Sequence, residues 1–330
     1  PRGYKETGIG YPVVYVLYAD HTYLYYGEAI HDLTLFGLDL MPETIVVGIV
    51  NVQRYRDLMP VGPEGSPESI DRFLRFMQEE LFPFIEDEYR TKGFRILIGP
   101  QAGACFGIYS IIESPRMFNA FILNNPFRNP DVMEYLLEPF EQTLERGKLP
   151  RTWLSIVTRQ SESPRALEGI RTLKNILSDR APDNLQWQVA IQETPAFLEP
   201  LGIDDALLEI FSRYPFPAAA EVNNLSDIME HYQGLSDLYG FPIDPSDQVL
   251  ALQSDQLADR GMYDSALEVL HQLIETYPHS MNGYLRLGLV NAAKGDTTRA
   301  IHYFEECLRR DPYITPARDW LTRLLPPPED

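Results

Sequence analysis

Apolar residues in this chain gather in short, unbroken, β-branched runs, and that narrows its fold more than anything else. Residues 12–18 and 45–50 contain almost no polar interruption. A strand with one wet face alternates apolar and polar side chains, so an unbroken run suits a strand covered on both faces of a parallel sheet. Residues 94–98, 120–123, 153–157 and 185–191 read as four further strands. Between the strands the period changes. Ile70, Phe73, Phe76, Met77, Leu81, Phe84 and Ile85 recur at helical spacing and predict an amphipathic helix over 68–89, bent near Pro83. Helices are also predicted from Cys105 to about Ile112, over 165–177 and over 204–211. The stretch of about 25 residues between the first two strands is long enough for a crossover helix. Alternating strands and helices predict a doubly wound, mostly parallel α/β sheet over residues 1–214.

Forty-eight acidic against 28 basic residues give a formal charge of −20. Such a field repels phosphate backbones and anionic membrane surfaces, so nucleic acid is not an expected partner. No run of 18 apolar residues is present, so no membrane span is expected. The two cysteines, Cys105 and Cys307, fall in different predicted domains at positions that read as buried. They build neither a disulfide framework nor a zinc pattern, and neither metal nor cofactor is expected. The first predicted strand follows the first residue of the chain almost at once, as though the sequence entered a fold partway, lacking its N-terminal strands and any targeting segment.

Residues 215–246 read as a linker, with Pro215, Pro217 and Asn223-Asn224, carrying a short helix over 225–239. After it, Gly261, Ala266 and Pro278 recur 34 residues later as Gly295, Ala300 and Pro312. That period and residue set are those of tetratricopeptide repeats, in which small residues let paired helices approach closely. Residues 247–330 are therefore expected to form an all-α domain of two repeats, closed by a capping helix over 317–325. Gln248, Asp255 and Asn282 fall where inner-helix side chains would face a concave, peptide-binding groove.

A strand, a Gly-x-x-x-Gly turn and a helix together make the framework of a nucleophile elbow. Gly99 and Gly103 flank position 101 in that frame. A nucleophile there would be Ser, Cys or Asp, but this chain has Gln101, and an amide cannot be activated for attack. Residues 99–104 resemble the Gly-His-Ser-x-Gly-Gly elbow of esterases related to enterochelin esterase. The resemblance continues in residues 11–17, in Val47-Gly48-Ile49 with residues 54–60, and in residues 73–76 and 80–85. It extends to His231-Tyr232, Leu235-Ser236 and Tyr239-Gly240, which resemble the linker of members carrying C-terminal tetratricopeptide repeats. It implies an α/β-hydrolase fold and a periplasmic or cell-surface location.

A base ought to follow the nucleophile, late in the domain. The histidines are His21, His31, His231, His271, His279 and His302, and none lies between residues 102 and 230. By the resemblance, Pro195 stands at the histidine's place. Glu162, after the fifth strand, is nearest the position of the third triad member, but it has no imidazole to orient and reads as a solvated loop acid. Cys105 reads as a small buried apolar residue. Asp20 and His21 are expected in a loop after the first strand which, by the resemblance, lines the pocket. With Ala102, Arg54 and Arg56 they form the candidate lining of a vestigial site. The arginines suit either an anion or a salt-bridged loop with Asp57.

Three functions follow. The first is a non-catalytic binding or scaffold subunit of a larger protein assembly. The second is a hydrolase with altered chemistry using Asp20 or His21. The third is a pseudoenzyme that holds a small ester or siderophore-like molecule without cutting it.

Overall fold

The structure is a computed structural model, and it describes residues 1, 4–34, 39–51, 53–127, 129–193 and 202–325. The chain divides into two compact units. One comprises Gly10–Leu35 and Leu40–Ser212; the other comprises Pro1–Ile9, Phe36–Asp39 and Arg213–Asp330.

In the first unit the apolar runs form a six-stranded sheet: β1 (Tyr11–Leu17), β2 (Ile45–Ile49), β3 (Thr91–Pro100), β4 (Ala120–Asn124), β5 (Thr152–Arg159) and β6 (Leu185–Gln192). The order is β2-β1-β3-β4-β5-β6, and every pairing is parallel. All residues of β1, β4 and β5 are buried, as their unbroken apolar runs require. β2 and β6, at the edges, are only partly covered.

The crossover from β1 to β2 through α1 (Ala19–Leu33) steps one way along the sheet. The crossovers through α5 (Ala102–Glu113), α6 (Pro130–Glu145) and α7 (Pro164–Arg180) step the other way. Right-handed connections in opposite directions place their helices on opposite faces. Accordingly α1 packs with α8 (Ile203–Ile210), while α5, α6 and α7 pack in series. The reversal of direction lies between β1 and β3, the place where open α/β sheets leave a crevice beyond the carboxyl ends of their strands.

Two stretches depart from the sequence expectation. Residues 68–89 are not one bent helix. α3 (Pro67–Phe76) leads into a π-helical turn (Met77–Leu81) and then α4 (Phe82–Glu88). Pro83 has no N–H to give, and its ring crowds the carbonyl one turn earlier, so the wider turn relieves a clash an α-helix would keep. In that turn the Phe82 amide bonds to the Met77 carbonyl. The second correction concerns Asp20 and His21. They lie in the first turn of α1 rather than in a loop, because Tyr18 takes a left-handed conformation (φ 61°, ψ 33°) and starts the helix immediately after β1.

The second unit holds α9 (Leu225–Tyr239) and the helical pairs α10 (Asp247–Asp259) with α11 (Tyr263–Thr276), and α12 (Met281–Lys294) with α13 (Thr297–Arg310). α14 (Thr315–Leu324) packs against α13. Ser246, Ser280 and Asp296 cap the helices that follow them, each side chain accepting a backbone N–H of the first turn. Gly295 closes α12 at φ 89°, where a side chain would be strained. A carbon added at Gly288 would lie 2.4 Å from the Phe304 ring, so glycine there is what lets α12 and α13 approach. Asp255 of α10 accepts from Arg286 of α12, with Nε 3.0 Å from both carboxylate oxygens. Gln248 and Asn282 are half-buried on the same pair of helices.

His231 on α9 has a buried Nε2 without a hydrogen-bond partner, and its ring meets Phe216 edge-on at 5.0 Å. Burial lowers its pKa, with a backbone bond to Tyr214 acting in the opposite direction. The folded chain therefore takes up this proton less readily than the unfolded chain. Stability from His231 is complete above about pH 6.5 and falls as the pH drops below it. We expect the urea midpoint of this unit to fall between pH 7.5 and pH 5.5, and His231→Gln to flatten the slope. An equal slope in wild type and variant would show that another group governs the dependence.

Candidate functional site

β3 ends at Pro100 and α5 begins at Ala102, leaving one residue to turn the chain. Gln101 does so with φ 53° and ψ −113°. Non-glycine residues at such positive φ cost about 1–3 kcal/mol and persist only where the surroundings impose them. Here the Gln101 amide donates to the Asn124 carbonyl at 2.7 Å, and its own carbonyl accepts from Ala104 at 3.0 Å and Cys105 at 3.3 Å. Two glycines permit the approach. A carbon on Gly99 would lie 2.4 Å from the Gly103 carbonyl oxygen, and one on Gly103 would lie 3.1 Å from Leu17. The strained turn of an elbow is thus fully built, with an amide at its tip.

Above the turn is a cavity of about 400 Å³. Its floor is Gln101, Ala102 and Cys105. One wall is Asn125, Pro126 and Asn129 from the end of β4. The other runs from Tyr55, in α2 (Arg54–Leu58), through Met59 to the loop ending at Gly65. The lining is apolar apart from neutral amides, the Tyr55 phenol and Glu64. The second wall and Asn125 were not apparent from the sequence. Asn125, at φ 55°, had a usable signal, because Asn-Asn-Pro after a strand favours a left-handed turn. Its side chain ties two strands together, accepting from the Arg159 amide at 3.1 Å.

Cys105 is fully buried, and its thiol donates to the Pro126 carbonyl at 2.8 Å. Burial pushes its pKa up to about 12, which favours the neutral thiol over the thiolate that would attack. Tyr18, the residue that precedes α1, is buried. Burial raises its pKa, neighbouring Tyr55 raises it further, and Arg54 and the nearby Ala102 backbone pull the other way. The Ala102 amide occupies the position that steadies an oxyanion in hydrolases. In this chain the Tyr18 phenol is its neighbour.

Of the residues expected around the site, Gln101 and Ala102 line the cavity. Arg54 stacks over two rings, 4.8 Å from the centroid of Tyr18 and 5.6 Å from that of Tyr55. Arg56 pairs with its neighbour Asp57 at 2.8 Å on the surface. Asp20 lies in the first turn of α1, and the His21 side chain lies outside the described part of the structure. Glu162 sits in the turn after β5, its amide donating to the Arg159 carbonyl at 3.2 Å. Pro195 lies outside the described residues. Among the described residues no cluster of three or more His, Cys, Asp and Glu side chains is arranged to hold a metal ion, and no helix is long and apolar enough to cross a membrane.

Known proteins share this fold. The family described as "Putative esterase" matches residues 1–192, more than half of the chain. The chain belongs to this esterase family. Residues 251–280 and 283–312 match the tetratricopeptide repeat. Over 75 residues, 22% of this chain and 30% of its relative, the sequence is 39% identical to the uncharacterized protein YjcH of Bacillus subtilis (strain 168). This chain therefore matches less than a third of that relative's length. Among solved structures, an IroE-like serine hydrolase from Shewanella oneidensis superposes with a TM-score of 0.68 at 21% identity, covering 83% of this chain and 92% of the other. An uncharacterised protein from Capnocytophaga ochracea DSM 7271 gives 0.63 at 18% identity, covering 98% and 93%. At these identities the likeness is one of fold. The esterase-family match and the six-stranded parallel sheet make the first unit an α/β-hydrolase fold, followed by a tetratricopeptide region.

Proposed function

We propose that this esterase-family chain does not hydrolyse esters, and that it serves as a binding or scaffold subunit of a larger protein assembly. One observation carries the reading: an elbow that keeps its strained backbone presents Gln101 where an attacking oxygen has to stand. Two others agree with it. The nearest thiol is held neutral. No histidine occurs between residues 102 and 230, the stretch that supplies the base in such folds. The repeats furnish paired helices of the kind that bind peptides or helices. The cavity, mostly apolar with three side-chain amides and Glu64 in its lining, suits a carbonyl-bearing ligand held without cleavage.

The test is hydrolysis of an aryl acetate by the native protein, by heat-denatured protein and by Gln101→Ser. All three are expected to give equal rates, because a serine without a base lacks the rest of the machinery. Turnover by the native protein above its denatured control would refute the proposal. Isolation at mild salt is expected to bring down a stoichiometric protein partner, and a chain that emerges alone would count against the scaffold role.

A further inference from the structure

A second cleft, of about 540 Å³, lies at the amino end of β3, six residues from the elbow and so about 20 Å along the strand. Its walls come from the π-helical turn and α4, the start of β3, the loop after α5 and the loop after α6. The charged side chains facing it are Arg95, Arg116, Lys148 and Glu86. Three cations against one carboxylate reverse the balance of a chain with 48 acids and 28 bases.

Arg95 is already fixed. Its guanidinium lies 4.3 Å from the centroid of the Phe82 ring. Nε donates to Glu86 at 3.2 Å, Nη2 donates to the same carboxylate, and Nη1 donates to the Met117 carbonyl at 3.4 Å. Ordering a long cationic side chain before a ligand arrives removes part of the entropy lost on binding. Arg116 and Lys148 are exposed at the rim, and among the described residues neither side chain forms an ion pair. With Glu86 offsetting Arg95, two positive charges face the cleft uncompensated.

We propose that this cleft binds a small dianion, a ligand carrying a phosphate monoester or a pair of carboxylates. A long polyanion would meet the chain's overall −20 field, whereas a small ligand responds to charges within about one screening length, roughly 8 Å at physiological salt. The concave wall and the charge match thus favour a compact ligand of two charges. The proposal is independent of the state of the elbow.

The experiment is isothermal titration of the intact chain with inorganic phosphate, succinate and acetate, repeated with Arg116→Ala/Lys148→Ala. Both substitutions are at exposed positions, and the apo unfolding temperature of the variant checks that folding is unchanged. Phosphate or succinate should bind at least tenfold more tightly than acetate, weaken with added sodium chloride, and lose at least tenfold in Kd in the double variant. Whichever dianion binds tighter identifies the source. Acetate binding equal to both dianions, or dianion binding unaltered in the variant, would overturn the proposal.

Discussion

Gly99→Ala is expected to destabilise the α/β unit by about 3 kcal/mol, the upper part of the range for forcing an extra methyl into a packed interior. The new carbon would lie 2.4 Å from the Gly103 carbonyl oxygen, 2.6 Å from its carbonyl carbon and 3.0 Å from the Ala104 nitrogen. All three are backbone atoms of the turn, so no side chain can rotate away to make room. α5 is buried almost throughout its length, so it cannot lift off the sheet either. For a unit of this size, such a loss lowers the unfolding temperature by roughly 6–12 °C. Gly27→Ala in α1 serves as the control. A carbon there meets nothing within 4 Å, so alanine is expected to stabilise the helix by about 0.5–1 kcal/mol. Thermal or urea unfolding of both variants decides the matter. If Gly99→Ala unfolds with the wild type, the crowded elbow that holds Gln101 at its tip is not present in solution.

A still larger loss is expected for Phe304→Ala in the second unit, about 3–5 kcal/mol, as for truncating a buried aromatic. Phe304 is fully buried. It stacks on Trp320 with centroids 6.0 Å apart and planes 14° from parallel, and it fills the space left open at Gly288. Its cluster includes Tyr284, Ala300, Cys307, Ala317 and Leu321, so one side chain joins α12, α13 and α14. Repeats are stabilised mainly by their neighbours, and the loss is expected to fall on these three helices. Hydrogen exchange should register it as amides in α12–α14 exchanging on the order of 10²–10⁴-fold faster, while amides in β3 keep their protection. Unchanged exchange in α14 would mean that the last helix is held by something other than this core.

Particular elements explain what could be read in advance. The apolar run at 120–123 became β4 almost residue for residue, because it is buried on both faces and nothing polar competes for its ends. The run at 94–98 belongs to a longer strand, Thr91–Pro100, whose polar first residues join the ladder only because Tyr11 of β1 pairs with Thr91. α6 carries Pro139 inside it, which in a sequence argues for an element's end. α2, at five residues, is too short to show a period. The cavity wall from Tyr55 to Gly65 meets Gln101 and Asn125 from far along the chain, and no local pattern encodes that meeting.

By itself the sequence determined the α/β class, the 34-residue repeat and the glutamine at position 101 of the Gly-x-x-x-Gly turn. These are properties of residue type and spacing, and burial and covalent chemistry act on them locally. Tertiary structure alone decided that the elbow keeps its strain, that Asp20 lies in the first turn of a helix instead of lining a pocket, and that Arg95, Arg116 and Lys148 share a cleft. Such features depend on which distant segments are pressed together, and the energy that holds them comes from packing.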